Sequence, residues 1–235
     1  TFITLAMKGG SYIYYFENFV DENHLTIFIS PILDFLSSIG INFFGNDPTS
    51  AGFGLFNAGG IIFMIFGIGL SKNLADKYGK RNVFGFFLFI STLFIILFNF
   101  LDKTSVLLMF AAQILHGFFY GITIPLLWAM IADVADYSEW KNNRRATAII
   151  FSAMMVGLKL GLTIGSSLVA KILSVYGYIP GSENVQTEFA IQGTKMLISI
   201  YPAIPFLIGV SLLFFYEINK KMELQIESDL KARRN

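Results

Sequence analysis

The chain has 235 residues, of which 54% are hydrophobic and 14% charged, with a mean hydropathy of +0.63 and a net charge of +1. A soluble domain carries roughly 25% charge, so this composition excludes an ordinary water-soluble fold and places most of the chain in lipid. The absence of cysteine excludes disulfides and thiolate metal sites, and no basic face outside the loops is left for nucleic acid.

A membrane span needs about 20 apolar residues. The first candidate, 1–20, opens inside an apolar run with no initiating Met, and reads as a truncated helix of a longer protein. The connection 21–50 holds Asp21, Glu22, Asp34 and Asp47 but no Lys or Arg. Its stretch 25–44 is apolar enough for an extra span. It carries Ser30, Pro31, Asp34, Ser37, Ser38 and Asn42, however, which favours an insert lying in the membrane interface. The remaining candidates are 51–71, 83–101, about 105–132, about 146–176 and about 196–218, the last with Pro202 and Pro205.

Basic residues set the orientation. Lys72, Lys77, Lys80 and Arg81 follow the second span; Lys141, Arg144 and Arg145 follow the fourth; and Lys220, Lys221, Lys231, Arg233 and Arg234 fill the tail. Alternating basic and non-basic loops fit six spans, with the tail 220–235 in the cytoplasm.

In the fourth span, Gln113, Gly117, Tyr120, Ile124 and Trp128 fall on one helical face, within about 40° of Ile124. An amide and aromatic rings on one stripe suit a sugar-sized cavity. Trp128 is equally readable as an interfacial belt residue. His116 falls off the stripe and is expected to be packed and hydrogen-bonded.

The fifth span holds Lys159 in an apolar and small-residue run. It lies 14 residues beyond Arg145, about 21 Å in, too deep to snorkel. Ser152, Met155, Thr163 and Ser166 lie within about 40° of it. Ala153, Gly157, Gly161 and Gly165 form a ladder that lets another helix approach. One face is expected to pack and the other to line a polar passage. The alternative is a structural lysine satisfied by carbonyls or a nearby acid.

Two charged loops carry a resemblance. "LADKYGKR" (74–81) resembles the loop signature of the major facilitator superfamily, with Asp76, Lys77, Gly79, Lys80 and Arg81 matching and Lys72 in place of its usual glycine. "IADVADYSEWKNNRRATAIIFSAMMVGLKLGLTIG" (131–165) resembles the loop between the tenth and eleventh helices of glycoside-pentoside-hexuronide:cation symporters, the melibiose permease family. Asp133, Asp136, Tyr137, Glu139, Trp140, Lys141, Arg145 and Lys159 match that pattern, and "GGSYIYYF" (9–16) looks like the family's seventh helix.

The resemblance implies an all-α membrane protein, the six-helix C-terminal bundle of a major facilitator-type transporter. Residues 1–20 would be family helix 7, 21–50 an extracytoplasmic insert, 51–219 helices 8–12, and 220–235 a cytoplasmic tail. It implies cation-coupled symport of a sugar or glycoside across the bacterial inner membrane, with sodium or a proton as the coupling ion. No metal or other cofactor is expected, and the ion's ligands belong to an N-terminal six-helix half, the chain's partner in the same protein.

It also implies a cytoplasmic gate of Asp76, Arg81, Asp133, Asp136, Glu139 and Arg145, paired to that other half, and places Lys159 near the cation and sugar sites; helical phase sets Thr163 beside it as a further substrate candidate. Family members use polar sugar contacts where this chain has Met154 and Met155, which points to a different substrate. The alternatives are a lysolipid-type transporter of the same fold and a transporter-like sensor that does not transport. An enzyme is not expected: no H-E-x-x-H, G-x-G-D or cysteine nucleophile is present, and His24 and His116 are far apart.

Overall fold

The computed structural model describes residues 1–41, 47–181 and 186–234. Asn42 and the side chain of Arg234 lie outside the described residues. The described elements are all helical: α1 (Phe2–Asn18), α2 (Glu22–Ser38), α3 (Pro48–Tyr78), α4 (Lys80–Leu97), α5 (Val106–Asn142), α6 (Thr147–Val175), α7 (Glu188–Ile198), α8 (Ile200–Leu212) and α9 (Lys220–Arg234). Short 3₁₀ turns extend α4 to Phe100 and α8 to Phe215. Five stretches are long and apolar enough to cross a membrane: Pro48–Tyr78, Lys80–Phe100, Val106–Asn142, Thr147–Val175 and Glu188–Phe215.

Local chemistry sets the helix ends. Asp21 caps α2, its carboxylate accepting from the His24 amide at 3.0 Å. Asp47 caps α3 through the Ser50 amide at 2.8 Å, with Pro48 at the first helical position. Gly79 turns α3 into α4 at φ 86°, a conformation that a side chain would strain.

Glycines decide the packing. A Cβ on Gly117 would collide with the Gly60 carbonyl, one on Gly121 with that of Met64, and one on Gly67 with that of Phe118. α3 and α5 therefore cross backbone to backbone. α6 meets α1 the same way, Gly161 against Phe2 and Gly165 against Ile3 and Ala6. At one end an aromatic core gathers Tyr12, Tyr15, Phe16, Phe56, Phe98 and Phe110, with Phe56 edge-on to Phe110 at 5.5 Å. α2 lies over this end, burying Leu25 and Ile29, while Ile27 and Phe35 on its other side stay exposed.

Two stretches differ from the sequence expectation. The acidic segment 131–142 is no loop: α5 runs unbroken through it and reverses only at Asn143, whose φ is 52°. Its charges mark a solvated helix face, and no Gly or Pro interrupts 126–142. The last span begins at Glu188 rather than near 196 and breaks at Ser199. Pro202 cannot donate to the carbonyl of residue 198, and the helix resumes at Ile200, just past the break. The Pro202 carbonyl instead accepts from Thr4 Oγ1 at 2.8 Å, tying α8 to α1.

Candidate functional site

α6 is buried only at Gly161, Gly165, Val169 and Leu173, a single seam one turn apart that faces α1. Most of the rest of the helix is exposed, with a few half-buried positions. Ser152, Met155, Lys159, Thr163 and Ser166 are all exposed, and Met154 is half-buried. The Thr163 hydroxyl donates to the Lys159 carbonyl at 2.9 Å. The Lys159 ammonium is thus not sealed among carbonyls of this bundle. It projects from an open face that is otherwise largely apolar, with Val156 and Leu160 more than half exposed beside it. The packing ladder is shorter than the sequence suggested, because Gly157 has nothing within 4 Å and Ala153 is exposed.

The stripe expected on α5 is divided. The Tyr12 hydroxyl donates to Gln113 Oε1 at 2.8 Å in the interior. Tyr120 is buried, stacked between His116 at 5.8 Å and Phe206 at 5.6 Å. Ile124 is half-buried in the same core, and only Trp128, 36% exposed, reaches the surface. Gln113 and Tyr120 therefore do not line an open cavity together with Trp128. The glycine crossing turns that side of α5 inward, against α1, α3 and α8. His116 is packed and hydrogen-bonded as expected, Nδ1 lying 2.9 Å from the Ser91 carbonyl.

The opposite end holds the charged cluster. Lys80 Nζ lies 2.7 Å from Asp133 Oδ1 and 2.9 Å from Glu223 Oε1. Glu139 and Arg145 pair at 3.7 Å. Asp133, Glu139 and Arg145, expected to pair with another half, are thus engaged within this chain. Arg81 donates to the Phe214 carbonyl at 3.3 Å. The Asp76 side chain is exposed, and its backbone carbonyl accepts from Lys220.

α9 lies across this end. Trp140 Nε1 donates to Asp229 at 2.7 Å, and Arg233 donates to the Trp140 carbonyl at 3.1 Å. A cavity of 320 Å³ between α5 and α9 is lined by Lys80, Asp133, Asp136, Glu223 and Lys231, among others. On α9 the Lys231 ammonium beside Glu227 holds that carboxyl below the usual carboxylate range. Burial raises the Tyr216 hydroxyl, which donates to the Met130 carbonyl at 3.2 Å.

One group went unnoticed in the sequence. Lys8 on α1 is 6% exposed, its ammonium 5.3 Å from the Tyr12 ring centroid. Its position in the first, seemingly truncated span gave no measure of its depth.

The chain matches the family of MFS/sugar transport proteins over residues 35–220, and it belongs to that family. It is 30% identical to a putative glycoside/cation symporter, YagG, of Escherichia coli over 145 residues, 62% of this chain and 31% of that protein. It is 28% identical to the glucuronide carrier protein homolog of Escherichia coli over 162 residues, 68% of this chain and 35% of the relative. It is also 28% identical to a putative 2,3-dihydroxypropane-1-sulfonate exporter of Escherichia coli over 191 residues, 80% of this chain and 40% of that protein. The chain spans between 25% and 57% of the length of the curated relatives it matches. It is a multi-pass membrane protein of a transporter family rather than an enzyme.

Proposed function

We propose that this chain is the C-terminal half of a secondary active transporter, which moves a sugar or glycoside with sodium or a proton by alternating access across the bacterial inner membrane. The observation that carries the reading is the open face of α6, where Lys159 stands exposed at mid-helix. A deep cation on a bare face needs a wet passage or a partner bundle beside it. A second six-helix half would complete the passage, and the two halves would rock about the site. Lys159, Met154, Met155 and Thr163 would meet the substrate, with Trp128 near one mouth and the charged end facing the cytoplasm.

In this reading a cation entering beside acids of the other half changes the partner open to Lys159. Ion and substrate affinities are then linked reciprocally. Asp133, Asp136, Glu139 and Arg145 would contribute to the cytoplasmic gate, exchanging partners as that end opens.

Replacing Lys159 with Ala in the full-length protein is expected to abolish ion-coupled accumulation of labelled glycoside in proteoliposomes. Normal coupled uptake by that variant would overturn the role of Lys159. A second reading, net export, is favoured by the likeness to the putative exporter over most of this chain. Uptake into inside-out vesicles separates the two directions.

A further inference from the structure

The reversal between α3 and α4 heads two grooves on an exposed face made by α3, α4 and α8. The first, of 280 Å³, runs between α4 and the end of α8, with Arg81, Gly85 and Phe89 on one side and Val210, Leu213 and Phe214 on the other. The second, of 450 Å³, runs between α3 and α4, lined by Leu74, Tyr78, Val83 and Phe87. Asn82 and Phe86 border both, so the grooves lie astride one ridge of α4.

Helical phase produces this division. Arg81, Gly85 and Phe89 recur every four residues along one edge of α4, Val83 and Phe87 along the other, with Asn82 and Phe86 between them. The ridge is braced: Phe86 sits edge-on to Phe87 at 5.2 Å, and Phe87 stacks on Phe119 of α5 at 5.9 Å. Gly85 keeps the first groove open, since a Cβ there would already lie 3.1 Å from Leu213.

Each groove has a cation at the same end. Arg81 heads the first, and its hydrogen bond to the Phe214 carbonyl leaves most of the guanidinium fork free. Lys77 stands 5.1 Å from the ring of Tyr78, which lines the second. Among the described residues neither cation belongs to an ion pair, and the exposed carboxylate of this corner, Asp76, lies within 4.0 Å of neither. Lys220 adds a third positive charge, held on the Asp76 and Lys77 carbonyls.

Below these charges the lining is apolar, and Phe86, Phe89 and Phe214 are exposed. The helices cross the membrane, so hydrocarbon covers the grooves, and a basic corner at their head favours an anion. Arg81 to Phe89 spans about 12 Å along α4, close to the ~15 Å of one leaflet's hydrocarbon. A zwitterionic lipid would bring an amine into a corner that already holds three cations. A lipid whose headgroup charge is its phosphodiester alone matches both the charges and the grooves.

We propose that this corner binds one anionic diacyl phospholipid, its phosphodiester between Arg81 and Lys77 and one acyl chain in each groove astride Phe86. The site needs only that these helices cross a membrane, and it does not depend on the transport reading.

The test is native mass spectrometry of the full-length protein released from detergent, with dioleoyl phosphatidylglycerol as probe and dioleoyl phosphatidylethanolamine for comparison. The parent should retain phosphatidylglycerol preferentially. Arg81→Gln should weaken that binding about five-fold and leave phosphatidylethanolamine unchanged. Val210→Phe, which fills the first groove, should weaken the diacyl probe and spare single-chain lysophosphatidylglycerol, which the second groove still takes. Lys171→Gln, near the far end of α6, should change neither. If Arg81→Gln fails to fold, Val210→Phe decides.

Equal retention of the two headgroups by the parent, or equal loss in Arg81→Gln and Lys171→Gln, overturns the site. So does displacement of the probe by excess inorganic phosphate, since the grooves would then hold nothing. A dimer in place of bound lipid, lost in Val210→Phe, would assign the face to a second copy of this chain and overturn the lipid site as well.

Discussion

Lys80 on α4 grips Asp133 on α5 at 2.7 Å, and Glu223 on α9 approaches the same ammonium at 2.9 Å. One cation thus joins three helices through residues far apart in sequence. All three side chains are less than one-third exposed, so this triad is more than a surface pair.

Lys80→Met leaves two carboxylates facing each other with no cation between them. It should weaken α9 docking by on the order of 1–3 kcal/mol. Trypsin cleavage after Lys221 reads this out, and the rate should rise. Asp133→Asn should cost less, because Lys80 keeps Glu223. Equal cleavage in both variants and the parent would show that the triad does not hold α9.

Trp140→Phe removes the indole donor to Asp229 and keeps most of the ring's packing. The expected loss is about 1 kcal/mol of docking. The same cleavage assay should register it, while thermal unfolding of the membrane helices stays unchanged.

Glycines that look alike in the sequence should differ sharply. Gly121→Ala places a methyl group on the Met64 carbonyl and should destabilise the bundle by about 1–3 kcal/mol or more. Gly157→Ala meets open space and should change thermal unfolding in detergent by less than about 0.5 kcal/mol. A reversed order would refute the packing described for α3, α5 and α6.

Acidification should loosen the tail. The Glu227 carboxyl is held below its unfolded value by Lys231, so its contribution is present above the unfolded value and lost as pH falls through the folded one. Glu227→Gln should flatten part of the tryptic-sensitivity change measured after brief exposure to pH 3–6. An unchanged profile would mean that the pair contributes nothing to docking.

Lys159 was legible because a lone charge in an apolar run has few explanations, and helical phase alone gave its exposed polar neighbours. Gly161 and Gly165 were legible as a packing seam for the same reason. The α5 stripe was misread because phase says which residues share a face, not which neighbour that face meets. Only the α3–α5 crossing shows that Gln113 and Tyr120 turn inward. The helical continuation to Asn142 was hidden because charge density resembles a loop, although a chain without Gly or Pro can carry charge on a solvated helix. Lys8 stayed hidden because α1 is covered by helices from later in the chain, α3, α6, α7 and α8, which the phase of α1 alone does not reveal.

The fastening of α9 has a practical side. This last helix grips the α3–α4 corner through Lys220 and the far end of α5 through Arg233, so both of its ends are anchored. An affinity handle inserted close behind Arg233 would tug at that anchor. A flexible spacer ahead of the handle, or a handle inserted elsewhere, would leave that clasp shut during purification.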